Sequence, residues 1–159
     1  MASLIAGKTG FARLSSDALR KKLAGVKPSA HRFEDYGKGI YSDEFTDKTY
    51  GELVKRASSH LQEGRSVVLD ATFSRRRFIE AAKEASARWG AHFNIIECVA
   101  DDETVKRHLL KRKAGEEKGA VAVSDAVWGV YLRQKAAFEP ICELPLERRM
   151  DEVFEKIFG

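Results

Sequence analysis

Three small groups of side chains have the types and spacing to do chemistry. In ARLSSDALRKKLAG, residues 12 to 25, Asp17 and Arg20 stand three apart in a helical pattern and so share a face. A carboxylate there can accept the proton of a hydroxyl, and an arginine beside it can hold a phosphate or carboxylate through paired hydrogen bonds. The same spacing equally suits an acid at a helix N-terminus and a solvated arginine. In SVVLDATF, residues 66 to 73, an apolar run ends on Asp70, with Thr72 two positions later. An acid at that place can orient a substrate hydroxyl or a metal-bound water, or it can cap a loop while the threonine caps a helix. Burying a carboxylate costs free energy unless something uses it, and this keeps the first reading open. The third group is basic: Lys106, Arg107, Lys111, Arg112 and Lys113 precede a glycine-containing stretch from Ala114 to Val123. A basic helix feeding a mobile lid, residues 107–124, can close over phosphates. A solvated helix face accounts for it as well.

A glycine–lysine–threonine triplet at residues 7 to 9 resembles part of a phosphate-binding loop but fails its context. That loop reads G-x-x-x-x-G-K-[ST] between a strand and a helix N-terminus. Here the first glycine position falls on Ala2, and the residues after the triplet enter a strand. The triplet reads as a helix end followed by a turn.

The elements that must position these groups alternate. A helix over Ala2 to Lys8 leads to a short strand, Phe11 to Ser15, and then a helix, Asp17 to Leu23, capped by Ser15 or Ser16. An irregular segment, 26 to 41, precedes a helix from Ser42 to Glu63 with Tyr50, Leu53, Val54, Ala57 and Leu61 on one face and Gly64 closing it. The run 66 to 71 is a strand buried on both faces. Ser74 to Trp89 is a helix that buries Phe78, Ala81, Ala82, Ala85 and Trp89, and His92 to Ala100 is a second buried strand with Cys98 inside it. Helices follow over Asp101 to Lys113, from Ser124 to Phe138, and over Asp151 to Phe158. Strands alternating with helices imply a parallel sheet, whose ligands bind at the carboxyl ends of the strands. Those ends carry Ser16, Asp17, Asp70 to Thr72 and Asp101.

The 159 residues suit one domain, 1–159, and a net charge of +4 permits an anionic partner without requiring one. Two cysteines and four scattered histidines make neither a disulfide framework nor a metal site. No apolar run approaches the ~20 residues of a membrane span, and the N-terminus lacks a secretory leader pattern, so the expectation is a cytoplasmic protein without a membrane partner. No segment interleaves aromatic and basic residues as a nucleic-acid surface does.

Taken together, LSSDALRKKLAG, GIYSDEFTDKTYGELVKRASSHLQEGRSVVLDATF, HLLKRKAG and SDAVWGVYLRQKAAFEP resemble the ATP-binding half of bifunctional aminoglycoside phosphotransferase/ATP-binding proteins. More broadly they resemble P-loop kinases related to zeta toxin and polynucleotide kinase. The resemblance spans about residues 2 to 140. It implies a three-layer P-loop kinase-like α/β fold with a parallel sheet, N-terminally truncated, because Met1 aligns inside the helix that follows the family's first strand and P-loop. It implies a phosphotransferase using ATP and Mg2+ on a small hydroxyl-bearing or phosphorylated substrate. Asp17 matches the hydroxyl-activating carboxylate, Arg20 the substrate-phosphate arginine, Asp70 and Thr72 the strand-end residues, and Arg107 and Arg112 the lid arginines. Without the loop the chain is expected to be inactive and to bind ATP poorly. The alternative is a non-catalytic anion- or nucleotide-binding module. The empty strand position is expected to close in one of two ways: Val67–Asp70 pairs with Asn94–Cys98, or a strand from an upstream partner chain or a second copy fills it.

Overall fold

The structure is a computed structural model that describes residues 1–26, 39–116 and 125–141. It is an α/β arrangement with a two-stranded parallel sheet and six helices among the described residues. The chain divides into two compact units, Met1–Ile95 and Ile96–Glu139. Each is described by itself.

In the first unit, α1 (Ala2–Thr9) ends on Gly10, whose φ of 73° places it in the left-handed region; its N–H bonds to the Ala6 carbonyl. A glycine takes that conformation without steric cost and satisfies a carbonyl that the helix end would orphan. β1 (Ala12–Ser15) follows and runs directly into α2 (Ser16–Leu23). The Ser15 hydroxyl caps α2 by accepting the Ala18 N–H. A single 3-10 turn, Gly39–Tyr41, precedes α3 (Asp43–Gln62), which the Ser42 hydroxyl caps by accepting from Phe45 N–H. β2 (Val67–Asp70) then lies parallel to β1 in the register Ala12 with Val67 to Ser15 with Asp70. α4 (Arg76–Arg88) completes the unit.

α3 packs on both strands, on α2 and on α4. Its buried residues Tyr50, Leu53 and Ala57 recur at helical spacing and line one stripe. Leu19 from α2, Tyr50 and Leu53 from α3, and Phe78 from α4 form one buried cluster, with Leu14 and Leu69 from the strands packed against it. Two ion pairs, Arg75 with Asp43 and Arg77 with Asp47, tie the start of α4 to the outer face of α3. Two of the three consecutive arginines at 75–77 are thus engaged with the neighbouring helix.

Two expectations are corrected. Residues 91–100 form no strand, and they do not pair with Val67–Asp70; β2 pairs with β1 alone among the described residues. Cys98 is exposed, and Val99 is 76% exposed. The physical reason lies in the alternation. As a strand, this run would put Asn94 on one face and Glu97 on the other, so burial on both faces would strand a polar group on each. Trp89 does not join the buried stripe of α4. It is the residue after the last helical position and is 40% exposed, while Ile79 and Ser86 are buried instead. β2 is half-buried at all four positions rather than covered on both faces. The expected helix at 151–158 lies outside the described residues.

In the second unit, α5 (Asp102–Glu116) and α6 (Asp125–Ala136) are the regular elements. α5 continues through Ala114 to Glu116, where a mobile stretch was expected to begin; the rest of that stretch lies outside the described residues. No helix among the described residues is long and apolar enough to cross a membrane.

Leu53 is fully buried at the centre of the first unit's core. Leu53→Ala is expected to lower unfolding free energy by about 2–5 kcal/mol, the range for a buried leucine truncation. Urea denaturation checks this, and a loss below about 1 kcal/mol would place the core elsewhere.

Candidate functional site

The parallel register sets Ser15 beside Asp70, so the carboxyl ends of β1 and β2 lie at one edge of the sheet. The N-terminus of α2, with Asp17, leaves one strand there, and the loop Ala71–Arg75 leaves the other. The structure thereby brings the Asp17–Arg20 and Asp70–Thr72 groups to the same edge.

Asp17 lies in the first turn of α2, where the helix dipole favours an anion. Its side chain is 62% exposed and forms an ion pair with Lys21 one turn on, at 3.1 Å. Thr72 is exposed. Asp70 is held by Arg13, a residue that sequence reasoning did not single out. Arg13 sits opposite Val68 in the ladder and reaches diagonally to Asp70 on the same face. Its Nε donates to Asp70 Oδ2 at 3.0 Å, and a terminal nitrogen donates to the same oxygen. Both side chains remain about two-fifths exposed, at 41% and 39%. The pair therefore aims the carboxylate while leaving it open to solvent. Only the register could have revealed this contact, because Arg13 and Asp70 are 57 positions apart.

Arg20 is turned inward. The residue is 9% exposed, its guanidinium donates to the Ile40 carbonyl and to Thr46 Oγ1 (3.1 Å for the latter), and it lies 5.3 Å from the centre of the Tyr41 ring. Burial lowers its pKa, while nearby Tyr41, Tyr50 and Asp17 oppose that shift. An arginine stays protonated throughout the ordinary pH range, so Arg20 is a buried cation whose bonds anchor the 3-10 turn and α3 to α2.

Beyond Asp70 the chain turns sharply. Phe73 has a φ of 46°, and its N–H donates to the Tyr50 hydroxyl at 2.8 Å. Sequence reasoning had seen Tyr50 only as a core position. A phenol in an otherwise apolar stripe is the signal that was available, since a buried hydroxyl needs a partner.

The triplet at residues 7 to 9 lies in the last turns of α1, and the Thr9 hydroxyl donates to the Ile5 carbonyl at 2.8 Å. Phosphate-binding N–H groups belong to the opposite, amino end of a helix. The triplet therefore does not form a phosphate cradle. No cluster of three metal-ligating side chains occurs among the described residues.

Arg107 belongs to the second unit. There Asp101 accepts from Thr104 N–H at 2.7 Å and from the Thr104 hydroxyl at 3.0 Å, and Arg107 donates to that hydroxyl at 2.8 Å. Arg107 is exposed, with one nitrogen engaged in this cap. Arg112 lies on α5, and its side chain is outside the described residues. One turn of the same helix carries a second acid: Asp102 Oδ1 accepts from Lys135 Nζ at 2.6 Å and from the Tyr131 hydroxyl at 2.7 Å, joining α5 to α6. Lys106 lies over the Trp128 ring at 4.5 Å.

Parallel strands whose carboxyl ends present a helix N-terminus and an acid-bearing loop are compatible with an α/β domain of the P-loop NTPase, kinase-like type. The family described as AAA domain matches residues 1–141, and the chain belongs to it. No curated protein and no solved structure matches the chain.

The bonds from Thr104 hold the Asp101 carboxyl below its ordinary range, and those from Lys135 and Tyr131 do the same for Asp102. A depressed folded-state pKa contributes stability above the ordinary value, about 3.9, that is lost as pH falls through the folded value. In a Trp89→Phe background, Trp128 fluorescence is expected to hold steady from pH 7 to about pH 4 and to change below it. Asp102→Asn should show part of that change already at neutral pH. An emission unaltered down to pH 2 in both proteins would remove these carboxylates from the unit's stability.

Proposed function

We propose that this chain supplies the substrate side of an ATP-dependent, kinase-like phosphotransferase acting on a small hydroxyl-bearing or phosphorylated substrate. The observation that carries the reading is the meeting of the α2 N-terminus and the Asp70–Thr72 loop at one sheet edge, in a chain of the AAA domain family. Asp17, exposed and at a helix N-terminus, is the group placed to accept a hydroxyl proton. Asp70, aimed by Arg13, orients the substrate, with Thr72 beside it. Arg20 serves the site through the scaffold, since its guanidinium is bonded to Ile40 and Thr46. Arg107 and Arg112 are the proposed lid cations.

The residues described do not fit the phosphates of ATP, because the one glycine–lysine–threonine triplet lies at the wrong end of a helix. No step is therefore routed through the nucleotide. The proposed activity depends on a phosphate-binding loop acting together with these residues. A second reading, an anion-binding module without turnover, is favoured by the commitment of Arg20 to its own fold.

Calorimetry of the 159-residue chain with Mg-ATP is expected to give a dissociation constant weaker than about 1 mM. A fusion that joins these residues to a strand and a G-x-x-x-x-G-K-[ST] loop is expected to transfer phosphoryl groups. In that protein Asp17→Asn is expected to lower turnover by about 10²–10⁴-fold with ATP affinity nearly unchanged. Unchanged turnover in the variant removes Asp17 from the mechanism, and a fusion that binds ATP without transfer favours the non-catalytic module.

A further inference from the structure

We propose that the Tyr50 hydroxyl is a positioning group: it locks the turn after β2 in a left-handed conformation at Phe73 and so sets where Asp70 and Thr72 face. What that loop serves rests on the function proposed above; the lock itself does not.

Phe73 is the non-glycine residue with positive φ among the described residues. A bulky aromatic residue is an outlier there, and such a conformation persists only where the surroundings over-determine it. Tyr50 supplies that constraint twice. Its hydroxyl accepts the Phe73 N–H at 2.8 Å. Its ring meets the Phe73 ring edge-on, with centroids 5.4 Å apart. Tyr50 is itself fixed by stacking on Phe78, at 3.9 Å between centroids and 8° between planes, and it is only 5% exposed.

The stack alone would be served by phenylalanine. The hydroxyl adds one thing, a partner for the N–H of a residue three positions past Asp70. Thr46 lies four residues before Tyr50 on the same face of α3 and bonds Arg20 at 3.1 Å. One turn of α3 therefore grips the segments that follow both strands.

The test is Tyr50→Phe in the whole chain, read by amide hydrogen exchange and by NMR shifts. The lock predicts about five- to tenfold faster exchange at Phe73, the effect of losing one hydrogen bond. It also predicts altered shifts for the Asp70 and Thr72 side chains, with the α3 amides of Leu53 and Ala57 within about twofold of the parent. Unchanged exchange at Phe73 overturns the proposal. A uniform loss of protection, or failure to fold cooperatively, assigns the hydroxyl to the core in general and overturns it too. None of these readings needs catalysis. A loop-bearing fusion that binds ATP but transfers no phosphoryl group would sink the functional reading while leaving the lock decided on its own data.

Discussion

The first unit depends on the contact between α3 and the two-stranded sheet. Two strands of four residues each make a ladder too small to stand alone in water. What holds them is the buried stripe of α3, with Leu53 at its centre and Leu14 and Leu69 packed against the same cluster. The polar groups on that stripe then take up the chemistry of the sheet's edge. Thr46 receives Arg20, and Tyr50 receives the Phe73 amide. Packing and site construction are thus carried by adjacent turns of one helix.

This coupling explains why the charged residues near the edge divide as they do. Charges that bond inward, such as Arg20, cannot be exchanged for solvated ones without losing buried hydrogen bonds. Charges at the rim face solvent: Asp17 is 62% exposed in its pair with Lys21, and Arg13 and Asp70 stay about two-fifths exposed. A rim pair of this kind is worth little to stability.

Much of this was legible in the sequence. Tyr50, Leu53 and Ala57 announced α3, Ser42 and Gly64 its ends, and the apolar run before Asp70 its strand. The context around Lys8 placed the triplet in a helix end. What could not be read were relations across long separations. Arg13 finds Asp70 only through the register, and Tyr50 finds Phe73 only because the turn after β2 bends back. Residues 92–100 were misread for a different reason: hydrophobicity reports a wish for burial, but a strand also needs a neighbour to satisfy its backbone, and Asn94 and Glu97 oppose burial on both faces. For Arg20, spacing leaves a ligand and a solvated arginine both open and the ligand role is only what the resemblance implies; neither reveals the inward guanidinium bonded to Ile40 and Thr46.

The central claim is that one turn of α3 organises both strand-end segments as a single site. A double-mutant cycle in unfolding free energy between Arg20→Met and Tyr50→Phe tests it most directly. Arg20 bonds Thr46 at 3.1 Å, and Thr46 stands one turn before Tyr50 on α3. The account predicts a coupling energy of at least about 0.5 kcal/mol, the lower bound for residues in one network. Effects that add to within about 0.3 kcal/mol would show two independent loops that merely share a helix, and would contradict it.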